Sequence, residues 1–228
     1  MSLDPSTFAP RGRSAAPSVA ASVRPAVSLW LFSVAGMVLV MVVLGGATRL
    51  TGSGLSIMEW APIAGALPPL SDAEWQRLFA LYQRIPQYAL VNAGLSIDGF
   101  KQIFWLEWVH RVWGRLTGFA VFLPLIWFWA KGWLTPALRS RLLLIFVLGA
   151  LQGAVGWFMV ASGFMPDTVS VSPCRLVIHL MLAVLIYGTI VWTALDSLPP
   201  PQPHPAPRGT GRPARAIAAL CCARSEER

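Results

Sequence analysis

An acid, a histidine and two arginines lie close together at the start of a long apolar stretch, in the sequence I-F-W-L-E-W-V-H-R-V-W-G-R of residues 103–115. Charged groups are costly inside a bilayer, so an ionisable side chain in an apolar span indicates a functional site by default. Glu107 and His110 are three residues apart, and a helix presents both on one face. Gly114 and Gly118 continue the stripe below His110, where a flat ligand could lie against the backbone. Such glycines also serve close helix packing, and both interpretations stay open.

The composition indicates a membrane protein. The chain has 228 residues, of which 55% are hydrophobic and 12% charged, and its mean hydropathy is +0.59. These values exclude an ordinary soluble domain. The formal net charge is +8, but the basic residues flank apolar runs, which indicates membrane topology and no nucleic-acid partner. The three cysteines show neither zinc spacing nor a C-x-x-C pair, which argues against a thiol–disulfide relay.

Four apolar stretches are long enough to cross a bilayer, at about residues 27–47, 103–130, 142–164 and 176–195. The sequence therefore predicts an all-α fold, a polytopic membrane protein built as a four-transmembrane-helix bundle over residues 27–195. Residues 1–26 predict a disordered basic arm. Residues 196–228 are rich in proline and arginine and predict a disordered tail. The segment 48–102 contains too many glycines and prolines for one regular helix and predicts an outer loop.

Capping patterns place two helices in and after that loop. Ser71 and Glu74 form a capping box, in which the serine caps the helix and the glutamate bonds back to it. The predicted amphipathic helix ends where Pro86 stops it. Ser96 is expected to cap the next helix, which carries the acid and the histidine of the opening stretch, with Asp98 in its first turn.

The distribution of basic residues predicts the orientation in the membrane. Three arginines lie in the N-terminal arm, three basic residues in the 131–141 loop and five arginines in the tail, whereas the 48–102 segment balances four basic against four acidic residues. The positive-inside rule then places both termini and the 131–141 loop in the cytoplasm. We expect a multi-pass protein of the bacterial inner (cytoplasmic) membrane, more than of the mitochondrial inner membrane.

This orientation brings two histidines to one depth. His110 and His179 each follow an outer helix end by a few residues, so both lie roughly 8–10 Å below that end. Two imidazoles at one depth on two helices can clamp a flat metallocofactor between them, and haem is the leading candidate because imidazole is a standard axial ligand of its iron. Arg175, one turn outward of His179, could meet a haem propionate, and Gln152 could line the remaining wall.

These polar residues also have structural interpretations. A histidine in a transmembrane span often bonds to a neighbouring helix without binding a ligand. Arg49 and Glu59, in the glycine-rich outer loop, could cap helices or shape the site. His204 lies in the proline-rich tail and carries no weight as a ligand.

Four segments of the sequence, between about residues 36 and 195, resemble heme A synthase of the alphaproteobacterial and mitochondrial type. They are G-G-A-T-R-L-T-G-S-G-L-S-I-M-E-W-A-P-I-A-G-A-L-P-P-L, F-W-L-E-W-V-H-R-V-W-G-R, L-Q-G-A-V-G-W-F-M-V-A-S-G and R-L-V-I-H-L. The resemblance implies conversion of heme O to heme A, in which a ring methyl is oxidised through an alcohol to a formyl group. Heme A is the prosthetic group of cytochrome c oxidase.

The resemblance also implies roles for individual residues. His110 and His179 would be the axial ligand pair of the haem iron at the substrate site. Glu107 would be the catalytic residue, managing a proton or stabilising positive charge at the oxidised carbon. The other residues expected to bind the haem are Arg49, Arg115, Gln152 and Arg175.

The sequence departs from the family pattern in three places. Other bacterial types carry a cysteine pair in the outer loop, which has none here, and Cys174 stands where an aromatic residue is expected. The family fold has eight spans in two pseudo-symmetric halves, and a second histidine pair holds heme b in the other half. The sequence corresponds to the first half, so we expect a truncated or frame-shifted tail, haem binding at best and poor turnover.

The resemblance implies several partners besides heme O, heme A and the lipid bilayer. They are an electron donor, heme O synthase, cytochrome c oxidase assembly factors and a second copy of the chain. The alternative function is a non-catalytic b-type membrane cytochrome with two histidine ligands. A structural or assembly membrane protein without haem is a third, weaker interpretation.

Overall fold

The computed structural model describes residues 19–61, 64–166 and 168–198. They belong to the first of two compact units of the chain, Met1–Leu198. The arm before residue 19 and the tail from residue 199 onward lie outside the described residues, and their predicted disorder stays a prediction.

All regular secondary structure among the described residues is helical. Four long helices, α1 (Val19–Leu50), α4 (Ile97–Ala130), α5 (Pro136–Ala161) and α6 (Pro173–Asp196), are joined by two short ones, α2 (Asp72–Tyr82) and α3 (Pro86–Leu90). Single 3-10 turns lie at Ala64–Ala66 and Ser162–Phe164. The four long helices are each apolar and long enough to cross a membrane. The all-α, four-span prediction is confirmed.

The helices extend beyond the predicted spans. The first begins at Val19, so residues 19–26 are helical and not part of a disordered arm. Alanines favour helix at its start, and Pro25 there interrupts only the opening turns. The helix α4 begins at Ile97, since Ser96 accepts a hydrogen bond from the N–H of Gly99 at 3.2 Å. The predicted Ser96 cap is confirmed.

The helices of the outer loop differ from the prediction in two respects. Ser71 caps α2 by accepting from the N–H of Glu74 at 3.3 Å. The Glu74 carboxylate binds Arg77 in place of the predicted bond back to the cap, because a guanidinium one turn along is a stronger donor. The helix ends at Tyr82, and Pro86 opens a separate short helix at a position where its missing N–H costs nothing.

The long helices form a four-cornered bundle. Helix α1 packs against α4 and α6, and α5 packs against α6 and, over a smaller area, against α4. Helices α4 and α6 therefore occupy diagonal corners. The inner half of the bundle has a closed apolar core, to which all four helices contribute Val27, Leu31, Val34, Ala35, Val38, Val121, Leu125, Phe128, Leu142, Ile145, Ile186, Ile190 and Ala194.

A second, aromatic cluster covers the outer end of α4. Its members come from α2, α4 and the loops, and they are Leu55, Trp75, Tyr82, Ile85, Phe100, Phe104 and Val171. The rings of Trp75 and Phe104 meet edge to face at 4.9 Å. Such edge contacts add to the gain from burial, so this cluster holds the outer segment against α4.

Between the two clusters lies a layer in which none of the residues is buried. It comprises residues 39–47, 108–120, 146–161 and 172–185, which we call the middle layer. No residue in these four stretches is buried, although the same helices bury thirteen residues in the apolar core of the inner half. Protein interiors are close-packed, so a layer in which four helices bury no residue indicates room for a ligand.

Candidate functional site

His110 lies in the middle layer with its ring against the backbone of α1. A Cβ atom added to Gly45 would lie 3.2 Å from Nε2 of His110. The imidazole can approach this closely only because Gly45 has no side chain. The glycine thus sets the position of the ring.

His179 has the same relation to α5. A Cβ atom on Gly156 would lie 2.9 Å from Cε1 of His179, closer than real Cβ contacts allow. The side-chain amide of Gln152 lies on the same face of α5. Its nitrogen donates to the carbonyl of His179 at 3.0 Å and lies 3.3 Å from the imidazole Nε2.

Polar atoms in this layer are buried without partners. Among the described residues, Nδ1 of His179 and Oε1 of Gln152 are shielded from solvent and make no hydrogen bond. An unpaired buried polar atom is costly and calls for an explanation. A ligand that supplies contacts to the imidazole and the amide would provide one.

His110 lies on α4 and His179 on α6, at diagonal corners of the bundle. A cavity of about 100 Å³ opens on the outer side of the layer, and Gly45, which touches His110, and Leu176, one turn outward of His179, both line it. The similar depth of the two histidines stays a prediction.

Arg49 lines the same cavity at the end of α1. It is the one charged residue among the described residues that line this cavity. Its side chain is exposed and makes no hydrogen bond or ion pair within the described part of the chain. An arginine in this state is available to an anionic group of a ligand.

Arg175 takes a different partner from the predicted propionate. Its guanidinium donates to the carbonyl of Phe158 at 2.8 Å and lies 3.9 Å from the centre of the Phe158 ring. This arginine ties the start of α6 to the end of α5, and its contact with haem stays a prediction.

The Glu107 carboxylate faces the outer loop. It is 3% exposed. Oε2 accepts hydrogen bonds from the hydroxyl of Ser56 at 2.7 Å and the N–H of Ile57 at 2.9 Å. Oε1 accepts from Nε and Nη2 of Arg111 at 3.1 and 2.6 Å.

The outer loop continues along α4 as an irregular segment, residues 55–61, which we call the strap. Arg111 donates to the carbonyls of Ile57 and Glu59 at 2.7 and 3.2 Å. Arg115 donates to the carbonyl of Ala61 at 2.8 Å, so this residue, predicted to bind haem, holds the strap. Haem contact by Arg115 remains a prediction.

Arg111, Ser56 and Gly45 were not identified as site residues from the sequence. Glu107 and Arg111 have the spacing of a helical ion pair, and that signal was present in the opening stretch. For Ser56 and Gly45 no local pattern exists, because their partners lie about fifty residues or more along the chain.

The comparisons with known proteins indicate a family. Residues 28–224 match the family model described as cytochrome oxidase assembly protein. A heme A synthase of Granulibacter bethesdensis is 60% identical over 197 residues, which cover 86% of this chain and 53% of that protein. Heme A synthases of Parvibaculum lavamentivorans and Methylorubrum populi are 54% and 48% identical, over 76% and 84% of this chain and 50% and 52% of theirs.

The chain thus spans about half the length of the curated relatives it matches. No solved structure matches it significantly. The predicted resemblance to heme A synthase is confirmed by relatives of that name. Because the family model matches well over half of its residues, the chain belongs to the cytochrome oxidase assembly protein family.

Proposed function

We propose that this chain carries the substrate-haem site of a heme A synthase and binds heme O between His110 and His179. The observation that carries the proposal is the middle layer, in which no residue is buried and two imidazoles on diagonal helices each rest against a glycine of a neighbouring helix. The reaction implied is oxidation of a ring methyl of heme O, through an alcohol, to the formyl group of heme A.

The donor set fits a haem better than a bare metal ion. Two neutral imidazoles are an incomplete set for most metal ions, which take four or more ligands. They do complete the coordination of an iron that already has the four nitrogens of a porphyrin. When bound, the haem supplies its own iron and the methyl group to be oxidised. His110 and His179 would hold that iron.

The outer cavity suits the acidic edge of a porphyrin. Arg49 lines it and has no partner among the described residues, and a guanidinium pairs well with a carboxylate. We assign Arg49 to a propionate of heme O. Gln152 lines the opposite wall through its contacts with His179.

Orientation and cellular location follow from the sequence. The basic loops support an orientation with both termini on the cytoplasmic side of a bacterial inner membrane, in which the strap and the outer cavity lie toward the periplasm. The complete reaction also needs an oxidant, an electron donor and, by family resemblance, heme b in a second histidine pair. We assign these to the whole enzyme.

The identity of the bound haem tests this function. The chain is produced in cells that make heme O, purified in detergent, and its haem is extracted and separated by chromatography. Heme O or heme A in the extract is the expected result. Heme b alone, held by the same two histidines, would favour the membrane cytochrome. Protein with no haem would contradict both functions.

A further inference from the structure

We propose that Glu107, Arg111 and Ser56 lock the strap against α4, so that it forms a wall of the middle layer. Glu107 is then a positioning residue for heme A formation. Resemblance to the family suggests a direct chemical role for this carboxylate, whereas its contacts indicate a structural one. The proposal rests on the proposed function only in naming haem as the ligand.

The first step is that the carboxylate has no acceptor position to spare. A carboxylate offers about four lone-pair sites. All are used here, since Oε2 accepts from the Ser56 hydroxyl and the Ile57 N–H and Oε1 accepts from two nitrogens of Arg111. To accept a proton from a substrate, Glu107 would first have to break one of these bonds.

The second step concerns the backbone of the strap. Its carbonyls at residues 57, 59 and 61 all receive hydrogen bonds from arginines of α4. Alternate carbonyls of an extended chain point to one side, so the strap runs along the helix with that edge toward it. Irregular backbone at membrane depth persists only where its polar groups are satisfied. Arg111 and Arg115 meet that need in place of water.

The third step is the position of the strap beside the histidine. The strap is anchored to α4 on both sides of His110. Glu107 lies one turn before this histidine, Arg111 lies next to it, and Arg115 lies more than a turn after it. On the other side, the ring of Trp60 stacks on Trp157 of α5 at 5.7 Å, and Trp157 follows the glycine that touches His179. The strap therefore closes the α4–α5 side, where the two helices themselves pack least.

The fourth step is the consequence for the ligand. The ion pair spans the turn of α4 that carries His110, so it fixes both the imidazole and the wall above it. Removing Arg111 leaves the buried Glu107 charge unpaired, which is strongly destabilising for the local structure, and removing Glu107 takes away the ion-pair partner of the partly buried Arg111. A loosened strap would let water and a second ligand orientation into the layer.

Hydrogen–deuterium exchange of the peptide covering residues 55–61, measured on the full chain in detergent, tests the lock without haem. We expect E107A and R111A to speed exchange of this peptide about tenfold or more, with the double variant no faster than either single one. S56A and E107Q should give smaller increases, and D98N, a carboxylate change at the exposed start of the same helix, none. This result does not depend on whether heme O is the ligand.

The visible and EPR spectra of the haem-loaded protein test the positioning role. The same variants should broaden or split the EPR signal of the low-spin iron. The change should be largest in the variants whose 55–61 peptide exchanges fastest. Unchanged exchange in E107A and R111A would overturn the lock. Faster exchange with an unaltered haem spectrum would overturn the positioning role. If E107A does not accumulate, E107Q and S56A decide by the same two measurements.

Discussion

The inner and middle parts of one bundle use the same four helices in opposite ways. In the inner half, Leu142, Ile145 and Ile190 are 0–2% exposed and interlock in a closed apolar core. In the middle layer no residue is buried, and the inward positions are taken by glycines and by ionisable or amide side chains. The side chains of the inner half pack against one another, and the middle layer leaves room for a ligand.

The difference indicates that the inner half contributes stability and that the middle layer contributes ligand binding. Apolar packing in the inner half can hold the helices apart at a fixed distance, because interiors resist compression. The histidines can then occupy sites that glycines keep open. Changes to the inner half should alter stability without altering ligand binding. Changes to the middle layer should alter ligand binding without altering stability.

The largest effect on stability is expected from L142A. Leu142 is fully buried, and truncating a buried leucine costs about 2–5 kcal/mol. The thermal unfolding midpoint of the purified protein should fall clearly. The haem spectrum of the folded fraction should stay the same, and a changed spectrum would show that the two regions are not separable. L144A, at an exposed leucine of the same helix, is the control.

A large effect on ligand binding is expected from G156V. The added side chain would meet the His179 ring at under 3 Å, so the imidazole must move. Haem affinity should fall about tenfold, which corresponds to ~1.4 kcal/mol. G36V, at a glycine of α1 with nothing within 4 Å, should bind haem normally. Equal haem titration curves for both variants would refute the glycine cradle.

A smaller effect, opposite in direction, is expected from Q152L. The Gln152 amide nitrogen lies 3.3 Å from Nε2 of His179, and an iron bound at that nitrogen would have to displace the amide. Its removal should raise haem affinity by about threefold, within the ~0.5–1.5 kcal/mol of one hydrogen bond. Haem titration of the purified protein measures this. Weaker binding would mean that the amide contacts the ligand directly.

The smallest effect concerns the outer anchor of the strap. Hydrogen bonds from Arg77 lower the pKa of Glu59. The pair therefore adds stability above the ordinary pKa of a glutamate and loses it as the pH falls below about 4. Because both side chains are nearly half exposed, the contribution is under about 1 kcal/mol. Exchange of the strap should rise slightly at low pH relative to E59Q, and identical pH profiles would exclude the anchor.

Much of the fold followed from local patterns in the sequence. The spans needed only apolar length, and the Ser96 cap is a signal within a few residues. The two histidines were identifiable because an ionisable group in an apolar span is rare and because topology set them at one depth. These inferences depend on neighbours in the chain or on the number of residues from a helix end.

The parts that escaped prediction depend on distant contacts. The strap has no periodic pattern, and its course is set by arginines of α4 that bond its carbonyls. The break between α2 and α3 arises because Pro86 can open a helix as well as stop one. The surroundings of Glu107 could not be inferred from the E-x-x-H spacing, since its two loop donors lie about fifty residues before it.

The haem content of three matched histidine variants tests the central claim most directly. H110A, H179A and H204A each remove one of the three histidines of the chain. His110 and His179 lie in the middle layer, and His204 lies outside the described residues. The account predicts that H110A and H179A lose the reduced-minus-oxidised spectrum of a bis-imidazole haem and that H204A retains it. An unchanged spectrum in H110A and H179A would contradict the account.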